Sequence, residues 1–130
     1  MPSYFEFDRK NRLLVLVAEG DIQDAEVLVV KQNIAERVSQ WNPVGGITDA
    51  SGITKFNVSA EVIQTAARQP SPYPESTPWF IVAPQEYLFG VARMYEQIGS
   101  GKSPRLRVVR SRHAAFAALG VAETAFERIK

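Results

Sequence analysis

The chain has 130 residues, 45% hydrophobic and 22% charged, with a formal net charge of +1 and no cysteine. That is the make-up of one soluble globular domain, 1–130, with enough apolar side chains to bury a core. The charge balance argues against a nucleic-acid binder, the missing thiols exclude disulfides and thiolate metal sites, and no run approaches the roughly 20 apolar residues of a membrane span. The opening MPSYFEFD lacks the basic-then-apolar layout of a signal peptide, so a cytoplasmic protein is expected.

Tyr4 and Glu6 alternate with Phe5 and Phe7, residues 8–12 are polar, and residues 13–18 are continuously apolar. This predicts a β-hairpin whose second strand is covered on both faces. Asp21 or Asp24 then caps a long helix to about Trp41, with Val27, Val30, Ile34 and Val38 as its apolar stripe and Val29 interrupting the polar side. Residues 44–49 predict a short strand in which Gly45 and Gly46 weaken the pairing or admit a neighbour close to the backbone. Ser59 is a good N-cap for a helix to about Arg68, with Glu61 in its first turn.

Pro70, Pro72, Pro74 and Pro78 predict an extended surface loop, because X-Pro pairs cannot be helical. PWFIVAP reads as a buried strand, residues 85–98 as a third helix ended by Gly99, and RLRVVR as a last strand. Ser111 caps a last helix that Gly120 ends, and the tail from 121 to 130 is expected to add another turn. The order ββαβαβαβα predicts an α/β fold: a mixed, mainly parallel sheet of about five strands flanked by about four helices.

GSGKS at 99–103 contains the Gly-Lys-Ser of a phosphate-binding loop, but Glu96 stands where the first glycine is needed. The motif also closes a helix and enters a strand, the reverse of the required order, so a helix end with a solvated lysine is the better reading. His113 is the only histidine, with no second His or Cys to share a metal, and no nucleophile–base constellation can be assembled around it. Arg105 and Arg107 alternate with Leu106 and Val108, which reads as charge protecting a sheet edge more than as a recognition surface. No catalytic residue, metal or cofactor is therefore expected. On the third helix Leu88, Ala92, Tyr95 and Gly99 share a face while Phe89 points elsewhere. Trp79, Tyr87, Phe89, Met94 and Tyr95 are the candidates for a pocket wall or a homodimer contact, with cover for a sheet edge the equal alternative for the off-stripe aromatic.

The element order, together with Asp49-Ala50-Ser51-Gly52-Ile53-Thr54-Lys55-Phe56-Asn57-Val58-Ser59-Ala60, resembles the STAS domain of anti-sigma-factor antagonists. The likeness is to its divergent SpoIIAA-like group, and it extends to residues 89–97 and 108–120. The family pattern reads approximately Asp-x-Ser-Gly-Val-Thr-x-Phe/Ile-Asp-Ser-Ser-Gly. The resemblance implies that Ser59 occupies the position phosphorylated in regulatory members. Here Asn57, Val58 and Ala60 replace the family's Asp, Ser and Gly, and Glu61 would oppose an added phosphate, so Ser59 reads as a helix cap and the switch as lost. Asp49, followed by Ser51 and Gly52, is expected either to bond the loop's backbone N–H groups and fix its shape, or to serve with Ser51, Gly52, Asn57 and Ser59 as a loop that meets a partner or ligand at the strand's C-terminal end. The expected function is a non-catalytic regulatory or protein-interaction module with an unidentified protein partner. The alternative is a small apolar-ligand or lipid-binding domain, resting on the aromatic helix, on Trp79–Phe80 and on the proline-rich loop as a lid.

Overall fold

The computed structural model describes residues 3–123 and 126–129, and its first elements are the expected hairpin. β1 (Ser3–Asp8) and β2 (Leu13–Gln23) pair antiparallel, with Asp8 Oδ1 accepting the N–H groups of Lys10 and Asn11 in the turn. Then follow α1 (Asp24–Trp41), β3 (Gly45–Asn57), α2 (Ala60–Arg68), β4 (Trp79–Val82), α3 (Glu86–Ile98), β5 (Leu106–Val109), α4 (Arg112–Leu119) and β6 (Glu127–Ile129). The sheet order is β5-β4-β3-β2-β1-β6. β2 through β5 run parallel to one another, and β1 lies antiparallel to both of its neighbours.

Residues 13–17 of β2 are all buried because both faces of the sheet are covered. On one face α1, α2 and α3 close over Phe5, Phe7, Leu14, Leu16 and Trp79. On the other, Ala115 and Phe116 of α4 pack on Leu13, Val15, Ile47 and Phe80. Helices on both faces of parallel strands are the usual way to bury two apolar surfaces at once. Ser59 and Ser111 cap α2 and α4 as expected, their hydroxyls accepting the N–H of Val62 and of Ala114. Arg107 lies exposed on the edge strand β5, where its charge discourages pairing with another sheet.

Four expectations are corrected. The tail does not add a helical turn: its residues 127–129 form a sixth strand on β1, with Ile129 on the core and Glu127 paired to Arg9 at 2.6 Å. Residues 124, 125 and 130, like residues 1 and 2, lie outside the described residues. The cap of α1 is Gln23, not Asp21 or Asp24; its N–H donates to Glu26 Oε1 at 3.0 Å. β3 does not stop near residue 49 but runs on to Asn57 beside an equally extended β2.

The fourth correction concerns the proline-rich segment, which is not wholly a surface loop. Pro72 and Tyr73 are buried, and the Tyr73 ring stacks 5.5 Å from Trp79. Gly46 is what admits it, since a Cβ at that position would overlap the phenol of Tyr73. A Gly46→Ala variant is therefore expected to lose about 1–3 kcal/mol through overpacking, read from urea unfolding. Val44→Ala, which truncates an exposed side chain two residues away, serves as the control.

Candidate functional site

β3 holds more residues than β2 along the same ladder. Val17 pairs with Asp49 but Glu19 with Gly52, and Gly20 pairs with Ile53 but Asp21 with Lys55. Each shift sets two residues of β3 against one of β2, and each reverses the alternation of side chains across the sheet. Thr48 and Ala50 therefore face the three-helix side, and after the shifts Ile53 and Phe56 do so too. Thr54, Lys55 and Asn57 are left exposed. The segment expected as a loop is a bulged strand, with Ser51 and Gly52 inside it and only Ser59 at the junction with α2.

Asp49 holds the first bulge. It is 5% exposed, and its Oδ1 accepts the Ser51 N–H at 2.9 Å and the Ser51 hydroxyl at 2.6 Å. Arg112, at the start of α4, donates from Nε to Asp49 Oδ2 at 2.7 Å and from Nη2 to Glu6 Oε1 at 3.3 Å. Burial alone would raise the Asp49 carboxyl, but the bonds from Ser51 and Arg112 outweigh it and hold it below its ordinary value. Burial likewise works against the Arg112 charge, and Asp49 and Glu6 together overcome that and raise it. The arrangement keeps Asp49 ionised and fully engaged, which suits a structural pin and not a general base.

The Ser59 hydroxyl accepts the Val62 N–H at 3.2 Å, while the Ser59 N–H donates to Asp24 Oδ1 at 2.9 Å. Asn57 Nδ2 donates to Asp21 Oδ1 at 3.2 Å, so the start of α2 is tied to the start of α1 by carboxylates. A helix N-terminus favours added negative charge, but here Asp24 and Glu61 already occupy that field.

Between the sheet and α1, α2 and α3 lies a half-enclosed cavity of about 160 Å³, walled mainly by Leu16, Ile34, Ile53, Phe56, Leu88 and Ala92. Trp79 and Tyr95 also line it, their rings edge to face at 6.3 Å, with Trp79 Nε1 donating to Thr48 Oγ1 at 3.0 Å. The other candidates lie outside. Tyr87 is 64% exposed and touches Phe56 edge-on, Phe89 sits beneath the Arg110 guanidinium at 3.9 Å, and Met94 is half-buried on α3. No lid forms from the proline-rich segment, none of whose residues line the cavity, and Phe80 packs on the opposite face of the sheet.

Lys31 was not among the sequence candidates, although it stands on the apolar stripe of α1, four residues after Val27 and three before Ile34. That placement was its sequence mark. It is 5% exposed, lines the cavity, and burial lowers its pKa to about 8. Arg112 was likewise passed over beside His113, which is exposed and whose side chain makes no hydrogen bond among the described residues. No group of three potential metal ligands comes together among the described residues.

The depressed Asp49 pKa fixes the sign of an acid effect. Its stabilisation is complete above the ordinary aspartate value of about 3.9 and is lost as pH falls through the lower folded value. Asp49→Asn should therefore cost about 2–4 kcal/mol at neutral pH, since it leaves Arg112 half-buried beside Glu6 alone. Denaturant titrations from neutral pH down into the acid range should show the gap to wild type closing.

No family model matches this chain, and no curated protein does. Solved structures match it in fold. The anti-sigma factor antagonist SpoIIAA in its unphosphorylated form aligns with a TM-score of 0.56 at 13% identity, covering 92% of this chain and 99% of that one. The phosphorylated form of SpoIIAA, a Bacillus cell fate determinant, aligns at 0.52 and 14%, covering 88% and 98%. With its mixed six-stranded sheet and four helices, the chain has the SpoIIAA-like STAS fold.

Proposed function

We propose that residues 1–130 form one STAS-type regulatory domain that works in the cytoplasm by binding a protein partner, not by catalysis. The outer half of β3 and the start of α2 form the contact surface. The observation that carries this reading is the free side of β3. β4 pairs with it only from Gly46 to Asp49, and beyond that point no described strand covers that side. The Gln85 amide donates to the carbonyls of Ser51 and Ile53, which leaves residues 54–57 with an open edge beside exposed Thr54, Lys55 and Asn57. An exposed strand edge flanked by polar side chains suits the addition of a partner's extended segment. The SpoIIAA structures, described as those of an anti-sigma factor antagonist, support a protein as the partner.

The phosphorylation switch is absent in this reading. A phosphate on Ser59 would displace the cap to Val62 and meet Asp24 and Glu61, and like-charge contact opposes it. A second reading, binding of a small apolar ligand, is favoured by the cavity between the sheet and the three helices.

Lys55→Glu should cut recovery of the partner from host lysate by roughly tenfold while changing stability by no more than about 0.5 kcal/mol. Ser59→Ala should lower stability by about 1 kcal/mol and leave recovery unchanged. Undiminished capture by Lys55→Glu would reject the surface. Transfer of labelled phosphate to Ser59 by the same lysate would reject the lost switch.

A further inference from the structure

Lys31 is a buried charged side chain on the apolar stripe of α1, and among the described residues it is only partly satisfied there. Its Nζ donates to the Gln69 carbonyl at 3.1 Å and lies 5.2 Å from the centre of the Tyr95 ring. An ammonium has three donors, and among the described residues no carboxylate lies within 4.0 Å of this one. A buried cation without a counter-ion is costly, and a methionine of similar length would fill the same space without that penalty. The ammonium also lines the apolar cavity, so its remaining donors and the empty volume belong to one space. That volume is comparable to the ~150 Å³ of an engineered interior cavity that takes up benzene.

We propose that this cavity is a binding site for a small amphiphilic carboxylate, whose apolar body lies among Ile34, Ile53, Phe56 and Leu88 and whose carboxylate pairs with the Lys31 ammonium. The proposal rests on the apolar-ligand reading of the same cavity and adds the charge and the orientation. A single cation in a narrow, apolar-walled space suits a monoanion, whereas a phosphate dianion would remain half uncompensated.

The charged and titratable groups around Lys31 set its pH response. Glu26, on the same helix, lines the cavity about 7.5 Å nearer the start of α1. Its Oε1 takes the Gln23 N–H, and its buried Oε2 has no hydrogen-bond partner among the described residues. That carboxylate excludes the anionic head from its own end and orients it towards Lys31. From α3, Tyr95 faces the amine, and burial pushes its phenol up so that it stays neutral. From the end of α2 the Gln69 carbonyl accepts from the amine. Lys31 is therefore the group that titrates, near 8 in the free protein, and a bound carboxylate would raise that value.

Calorimetric titration of the full chain with octanoate and with n-octanol tests the assignment. At about pH 7 octanoate should bind at least roughly tenfold tighter than the alcohol, and Lys31→Met should abolish the preference while still binding n-octanol. Above about pH 8 the wild-type affinity for octanoate should fall by up to tenfold per unit as the free amine loses its proton. Equal affinity for acid and alcohol, or an unchanged preference in the methionine variant, would overturn the head-group pairing while leaving an apolar site standing. Failure of both compounds to bind would overturn the apolar-ligand reading as well. Should the variant not fold, the wild-type pH profile decides alone, and an affinity that stays flat from about pH 7 to 9.5 sinks the proposal.

Discussion

β3 accommodates two more residues than β2 along a shared ladder, and Gly52, Ile53 and Thr54 take their direction from that mismatch. Without the shifts, strict alternation from Thr48 and Ala50 would place Gly52, Thr54 and Phe56 on the three-helix face and turn Ile53 away. With them, Ile53 joins Phe56 in lining the cavity while Thr54 stands in solvent. The first shift is pinned by the Asp49 carboxylate, which bonds its own strand through Ser51 and the opposite helix layer through Arg112. One buried acid thus links the sheet, the cavity wall and the exposed strand.

Asp49 and Lys31 are equally buried, and the contrast between them is informative. Asp49 meets two hydrogen bonds from Ser51 and an ion pair, so its burial is offset and its charged form favoured. Lys31 meets one carbonyl and one ring face, so its charged form is disfavoured. Polar interior groups that are fully engaged hold a fold together, while those left half-engaged beside an empty volume mark a place where something else fits.

The junction at Ser59 illustrates two opposing electrostatic terms at one place. The amides at the start of α2 attract negative charge, yet Asp24 already accepts the Ser59 N–H and Glu61 follows in the first turn. The helix terminus is satisfied from within the chain. The likeness to SpoIIAA, at 13% identity, carries the arrangement of strands and helices and leaves such local chemistry to the residues present.

Much of the fold was legible in the residues alone. The 3.6-residue stripe of α1, the apolar run of β2, the serine caps of α2 and α4 and the order of strands and helices are local patterns, and local patterns survive in the folded chain. Asp49 and Ser51 were also legible as a pair, because an aspartate bonding the backbone two residues on is a short-range contact. Tertiary structure alone decided the rest. The tail became a strand because β1 offered it an edge far away in sequence, and Tyr73 turned inward because Gly46 left room for its ring. The register of β3 against β2, and with it the direction of Ile53, follows from pairing between strands and has no mark in either strand by itself. Lys31 stood in plain view on its stripe, but its meaning depended on the empty, apolar volume that three helices and a bulged strand enclose around it.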